Sequence, residues 1–562
     1  MKPISDRIRQ SVHDLFQIDQ DIQLSRPDVQ FGDYATNVAM QITKQVGKSP
    51  REIADQLAEA LRTDNMFSEV SVAGPGFINL RLSDTVLSAN LQGIREQKSE
   101  YGTSSAYQGK VVVTEYSDPN PFKVLHAGHL YTSIIGDAIS NLIEYAGGIV
   151  HRVNFGGDVG MHVAKTMWAI MRRLGGENPS GLDDIPESER SEWMAAAYVE
   201  GTNAYEDDEV AKSEIVALNK RVYQLHSDND HDSDFAKLYW TCRGWSYDYF
   251  NAFYDRIGTH FEKYYPESET APIGLATVRE QQANGVYSES DGAVVFVGEP
   301  YDLHTRVFIN SEGLPTYEAK DVGLSIKKWD DYHFDESVII TGNDITEYMK
   351  VVLKSIEQFA PDLARRTKHF THGNVKLAGG VKMSSRKGNF LRAVDVLDIA
   401  TDENEKAQGN RDAAPVLGAV KYAFLKNRIG PDIIFDPKES VSVLGNSGPY
   451  LQYAHARAAS IVEKAGEVND DTLIATFDDY ERALLVKMTE YPEVVSAAVS
   501  ELSPHLICTY LYELAQAFNR FYEKSHVIGD DREAIRVQLV SAYAGILKSG
   551  LTVLGIPAPD KL

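Results

Sequence analysis

Apolar positions recur along this chain in two rhythms. Near the N-terminus Ile53, Leu57, Ala60 and Leu61 fall at helical spacing. Val70 and Val72, then Ile78, Leu80 and Leu82, alternate as strand residues do, across the turn Gly74-Pro75-Gly76. This pattern predicts a small α+β unit over residues 1–105, with the polar stretch Lys98 to Gly109 as a linker. A second unit opens on the apolar run Val111-Val112-Val113 and passes a polar turn with Pro119 and Pro121. It then enters a helix with Leu130, Ile134, Ile135, Ala138, Leu142 and Ile143 on one face, stopped by Gly147-Gly148. Ile149 to Phe155 reads as the next strand. Strand, helix and strand of this length make a βαβ unit, which predicts a Rossmann-like, doubly wound parallel sheet. Val338-Ile339-Ile340 and the stretch from His369 to Leu377 supply further strands, and the acidic stretch of about 175–300 between them reads as a mostly helical insertion. From about 440 onward the pattern is helical, with Leu511, Leu514, Ala515 and Phe518 among many repeats, as in a bundle. The expected division is 1–105, 106–436 and 437–562, an α/β multidomain chain with an all-α C-terminal part.

Length agrees with several cores, since 562 residues exceed what one ordinary core holds. Charge adds a restriction: 56 Lys and Arg against 81 Asp and Glu give a net charge of −25. Such a chain does not coat nucleic acid nonspecifically, although a local cationic surface still allows a nucleic-acid substrate. Cys242 and Cys508 lie far apart, which excludes a cysteine-rich zinc cluster and favours two reduced thiols. The opening MKPISDRIRQ has no apolar signal core, and Lys548 interrupts the longest C-terminal apolar run, so a cytoplasmic protein without membrane contact is expected.

Two short segments carry chemistry. His126-Ala127-Gly128-His129 follows the first strand and starts the helix. Neutral donors and a glycine at a helix N-terminus suit a triphosphate, Gly128 letting a flat base approach the backbone. Capping histidines, or a metal pair, read equally from the four letters, but nothing nearby completes a zinc site, so no metal ligand is assigned. Lys382-Met383-Ser384-Ser385-Arg386-Lys387-Gly388-Asn389 is the second. Lys376, Lys382, Arg386, Lys387 and Arg392 fall within seventeen residues that contain no acid. A solvated basic loop is one reading; a cationic loop that closes on a triphosphate is the other.

Taken together, HxGH after the first strand and KMSS in the second half of the same sheet resemble the HIGH and KMSKS motifs of class I aminoacyl-tRNA synthetases. The resemblance narrows to the arginyl-tRNA synthetases. It rests on Glu115-Tyr116-Ser117-Asp118-Pro119-Asn120 ahead of HAGH, and on Phe31 to Asn37 with Gly74 to Asn79 in the N-terminal unit. It rests also on Pro315-Thr316-Tyr317 with Asp321, on Gly448 to Arg457, and on Gly550 to Pro559. Three positions depart from the family. Ser385 stands at the fourth KMSKS position, so Lys387 or Arg386 supplies the displaced charge; Val159 stands where tryptophan is frequent; Gly342-Asn343 replaces a glutamine, with Asn343 as its substitute. A cysteinyl enzyme would need zinc-binding cysteines, and a tRNA-binding scaffold without catalysis would not need His126, His129, Lys382 and Met383 together.

The resemblance implies arginine activation by ATP, with magnesium accompanying ATP, and transfer of arginine to tRNA by a monomer. It implies His126, His129, Lys382 and Lys387 as catalytic residues, and His126, Gly128, His129 and Lys382 to Lys387, with Met383, Ser384, Ser385 and Arg386, as the ATP site. A guanidinium presents five donors in a planar fork that two carboxylates satisfy. Glu115 and Asp321, each expected at or near a strand end, are those carboxylates, with Tyr317 beside them, Asn120 at the α-amino or carboxylate end, and Asn343 as a further contact. Phe77 and Asn79 are implied contacts to the tRNA D-loop, and Tyr450 and Tyr453 stacking residues of an anticodon-binding bundle.

Overall fold

In a computed structural model the described residues are 2–380, 391–466 and 476–562. The N-terminal unit packs the helices Lys2–Phe16, Pro50–Arg62 and Asp84–Gln97 on an antiparallel sheet. Its strands Leu24–Ser25, Tyr34–Thr36, Phe77–Leu82 and Phe67–Ala73 lie side by side in that order. Ser49 and Glu52 form a reciprocal capping box at Pro50–Arg62, and this helix buries Ile53, Ala54, Leu57, Ala58 and Leu61. The turn between the long strands needs its second glycine. Gly76 has φ 141°, and a Cβ there would lie 2.9 Å from the Pro50 carbonyl oxygen.

The central sheet has five parallel strands: β1 (Val111–Glu115), β2 (Ile149–Gly156), β3 (Lys263–Pro266), β4 (Glu336–Gly342) and β5 (Thr367–His372). Their spatial order is β5-β4-β1-β2-β3. The direction of winding reverses between β1 and β4, and ligands of such sheets bind in the crevice at the carboxyl ends there. The helix α1 (Ala127–Tyr145) leads out of this crevice and back to β2.

The stretch 175–300, expected as a mostly helical insertion, is mostly helical but also carries short strands. After α2 (Met161–Arg173), the helices α3 (Arg190–Asp207), α4 (Glu209–Ser227) and α5 (Asp234–Ile257) form a lobe with its own core of Met167, Trp168, Ile215, Leu225 and Phe235. The chain then returns to the central sheet as β3, a four-residue edge strand, KYYP, too short to show any alternation. A three-stranded antiparallel sheet, ending in Arg306–Ile309, leads to α6 (Tyr317–Tyr332); α7 (Thr346–Glu357) follows β4.

The C-terminal bundle contains α8 (Gly448–Ala465), α9 (His505–Lys524) and α10 (Glu533–Val553). A Cβ at Gly448 would lie 2.0 Å from the Gly418 carbonyl oxygen, so glycine lets α8 cross the helix Ala413–Leu425 in close contact. Behind α10 the chain is held by its carbonyls: Lys421 Nζ donates to Gly555 O at 2.7 Å and Gln452 Nε2 to Pro557 O at 2.8 Å. Lys421 is buried, its nearest carboxylate is Asp137 of α1 at 3.8 Å, and burial pushes its ammonium pKa down. No helix among the described residues is long and apolar enough to cross a membrane.

Candidate active site

The connection from β1 to α1 is strained and clamped. Ser117, Asp118 and Phe122 have φ values of 73°, 49° and 67°, a region that non-glycine residues enter at a cost of about 1–3 kcal/mol each. Four hydrogen bonds clamp this connection, three of them made by these residues. Ser117 Oγ meets Tyr254 Oη of α5 at 2.8 Å, and Phe122 N donates to Ser246 Oγ of α5 at 2.9 Å. Asp118 accepts from Phe155 N at 2.8 Å, and Asn120 Oδ1 accepts from Gly157 N at 2.9 Å, both donors at the end of β2. With its oxygen engaged, what Asn120 can still offer is its amide N–H donors.

At the start of α1 the two histidines cap each other. His126 Nδ1 accepts from Gly128 N and His129 Nδ1 accepts from His126 N, both at 3.1 Å, and the rings stack at 3.8 Å between centroids. A Cβ at Gly128 would sit 2.8 Å from the His126 ring, so a larger residue there would displace that ring. Burial pushes both imidazole pKa values down, His129 well below the ordinary value. Both are therefore neutral at pH 7, and because Nδ1 accepts, Nε2 carries the proton. The helix start thus presents two neutral Nε2–H groups beside its own N–H groups, a donor set suited to phosphate oxygens.

Lys382, Met383, Ser384, Ser385, Arg386 and Lys387 lie outside the described residues. The segment directly after them is tied to HAGH. Ala127 N donates to Leu391 O at 2.7 Å, Ala393 N to Leu125 O at 2.9 Å, and His126 pairs with Arg392 in an antiparallel bridge. Arg392 also reaches Asp395, and Glu192 of α3 at 3.2 Å.

The other end of the crevice is acidic. Glu115 ends β1 as expected, but it is buried against Lys328 of α6, which also donates to Ser337 Oγ at 3.2 Å. Asp321 is not at a strand end. It lies within the first turns of α6, where Tyr348 Oη of α7 donates to its carboxylate. Burial pushes the Asp321 pKa up to about 7; Glu115 and Glu267 add to this, and the Tyr348 hydroxyl and Lys328 oppose it. Asp118 is raised well above the carboxylate range, first by burial, then by Glu115. Tyr317 opens α6 with 57% of its surface exposed, 4.9 Å from Lys320 Nζ. Lys320 is itself buried in a 2.5 Å pair with Glu267. Asn343 stands exposed just past β4, its backbone carbonyl accepting from Thr346 Oγ1 at 2.9 Å.

Sequence reasoning missed Asp118, Glu267, Lys320, Lys328 and Tyr348. One signal was present: Lys320, Leu324 and Lys328 stand at intervals of four on α6 and all three are buried, so both lysines interrupt an apolar stripe. His162 was also passed over. Burial pushes its pKa down to about 3, and its Nε2 donates to Gly157 O at 2.7 Å. The insertion reaches the site through Tyr198 of α3, 4.9 Å from Lys123 Nζ, and Tyr223 of α4, 5.8 Å from Lys320 Nζ. Among the described residues no group of three or more His, Cys, Asp or Glu could hold a metal ion.

The implied tRNA contacts divide. Phe77 is 40% exposed at the start of its strand, whereas Asn79 is 7% exposed, between Ala35 and Ser71 in mid-sheet, and offers no surface to a base. Tyr450 and Tyr453 are half-buried on α8. Tyr450 Oη accepts from Asn519 at 2.7 Å and its ring lies 5.8 Å from Tyr512, beside a second group in which Arg457 covers Tyr522 at 5.7 Å.

Comparison with known proteins covers the whole chain. Residues 90–436 match the family described as tRNA synthetases class I (R), catalytic domain; residues 2–82 match the arginyl tRNA synthetase N-terminal domain, and 451–562 the DALR anticodon binding domain. The arginine–tRNA ligase of Clostridium perfringens is 29% identical, the alignment covering 100% of this chain and 99% of the relative. That of Treponema denticola is 30% identical over 94% and 93%. Among solved structures, the arginyl-tRNA synthetase of Thermus thermophilus superposes with a TM-score of 0.79 at 24% identity, covering 100% of both chains. The Plasmodium falciparum enzyme gives 0.78 at 21%, covering 100% of this chain and 99% of that one.

Proposed function

The chain belongs to the arginyl-tRNA synthetases and charges tRNA with arginine, and on that footing we propose how its residues divide the work. The arginine carboxylate attacks the α-phosphorus of ATP and pyrophosphate leaves; the terminal ribose hydroxyl of tRNA then attacks the arginyl carbonyl, releasing AMP. Neither step needs a covalent enzyme intermediate. What the protein supplies is alignment and charge stabilisation.

His126 and His129 donate through Nε2 to phosphate oxygens as charge builds. The supporting observation is their reciprocal capping through Nδ1, which fixes the tautomer. Gly128 shapes that start of α1. Lys382 is the main cation on pyrophosphate and Lys387 the compensating one, in an ATP-binding segment that includes Met383, Ser384, Ser385 and Arg386. Magnesium accompanies ATP, held mostly by phosphates and water. Asn120, its oxygen engaged by Gly157, donates to the arginine carboxylate. Asp321 takes the guanidinium, with Tyr317 against the side chain and Asn343 at the rim. Glu115 contributes its charge from behind, because Lys328 already occupies it. Residues 1–105 meet the tRNA elbow with Phe77, the catalytic unit spans 106–436, and residues 437–562 hold the anticodon with Tyr450 and Tyr453. The enzyme works as a cytoplasmic monomer.

Two experiments test this division. Arginine-dependent pyrophosphate exchange should be weak without tRNA and strong with it, since the arginine site is only fractionally competent until the tRNA end orders it. Equal exchange in both conditions removes that statement and leaves the family assignment standing. In the same assay Lys387→Ala should slow exchange roughly tenfold or more, as expected for a lost charge contact. A silent Lys387→Ala beside a crippled Arg386→Ala would move the compensating role to Arg386.

A further inference from the structure

The carboxylate of Asp321 stands among like charges. Glu115 of β1, Asp118 of the following loop and Glu267 are close enough to repel its charge, and Lys328 of α6 is the ammonium set against them. Lys328 is already held by Glu115 and Ser337, and Lys320 by Glu267. Among the described residues Asp321 receives a side-chain hydrogen bond from the Tyr348 hydroxyl, on a different helix. Tyr348 is fixed in turn. The Arg306 guanidinium lies 5.4 Å from its ring centroid and is paired with Glu318 at 3.2 Å. We propose that Tyr348 is a positioning residue for arginine selection: its hydroxyl holds Asp321 ionised and aimed at the guanidinium, and so sets the affinity for arginine without touching the reacting atoms.

The inference rests on Asp321 as the guanidinium's partner. Chemically, a hydroxyl that donates to a carboxylate stabilises the charged form against burial and neighbouring carboxylates. Without it Asp321 takes up a proton more readily, and a neutral carboxyl no longer offers two acceptors to a cation. The effect is therefore largest at low pH and fades once Asp321 ionises anyway.

The test is the arginine KM between about pH 6 and pH 9, a range that brackets the shifted carboxylate. It is measured for wild type, Tyr348→Phe, Asp321→Asn and the double variant, with kcat and the ATP KM as controls. Tyr348→Phe should raise the arginine KM roughly tenfold to a hundredfold at neutral pH. It should also move the break in the KM profile to higher pH and leave kcat and the ATP KM within about twofold. In the Asp321→Asn background the same change should cost less than about threefold. Equal penalties in both backgrounds, or a break that does not move, would mean that the hydroxyl only fills space. A silent Asp321→Asn single variant would instead discard Asp321 as the guanidinium's partner, and the proposal with it.

Discussion

Asp321→Asn is expected to raise the apparent KM for arginine by a few hundred- to several thousand-fold. The side chain keeps its size but loses its charge, and one acceptor becomes a donor pointed at the donors of the guanidinium. Leaving a desolvated cation without its partner costs about 3–5 kcal/mol. Citrulline, uncharged and nearly the same shape, should lose far less. The ATP KM and tRNA affinity should hold, because the side-chain hydrogen bond of Asp321 runs to Tyr348 and not to a residue of HAGH. The pH profile gives a second check. Because the Asp321 pKa is pushed up to about 7, wild-type affinity for arginine should fall as pH drops through that value, and Asp321→Asn should lack this dependence. If the mutant's KM stays within about threefold of wild type, a shift under roughly 1 kcal/mol, Asp321 serves only its bond to Tyr348, and Glu115 becomes the first alternative.

His129→Ala should slow adenylate formation about 100- to 1000-fold, the usual cost of a lost transition-state donor at about 3–4 kcal/mol. Affinity for tRNA should be nearly unchanged. The geometry adds a second cost, because His129 Nδ1 also accepts the His126 N–H. Loss of that cap should lower stability to urea by about 1 kcal/mol. His129→Glu separates the two effects: a carboxylate at this position restores the capping acceptor but has no donor for phosphate. Recovered stability with an unrecovered rate is the expected pair. A normal rate in His129→Ala would reduce HAGH to a helix start.

Sequence legibility followed the range of the interactions. The run Val111-Val112-Val113 and the α1 stripe are local patterns, and both became the elements they imply. HAGH was legible because its four residues sit within one helical turn, and the structure adds the crowding of position 128 by the His126 ring. β3 escaped because four residues with two tyrosines and a proline carry no period. The buried partners around Glu115 and Asp321 escaped for a different reason. Lys328 is 213 residues from Glu115 and Glu267 is 53 from Lys320, so nothing adjacent in the chain marks either pair. Asp321 was chosen by its neighbours in the motif, yet its seat on a helix depended on where the three-stranded sheet delivers the chain.

A ribosome delivers Asp137 and Lys421 long before it delivers Gly555. Until that carbonyl emerges, the Lys421 ammonium faces burial with only a carboxylate 3.8 Å away and lacks the acceptor that takes it at 2.7 Å. A buried charge without its hydrogen bonds is costly, so the back of α1 cannot close favourably on a shorter chain. The hydrogen bond that closes the back of the helix beginning with His126 thus forms only after the C-terminal bundle has been synthesised. A polypeptide released between residues 422 and 554 contains both the HAGH and the KMSS segments and still lacks the carbonyl that takes the Lys421 ammonium.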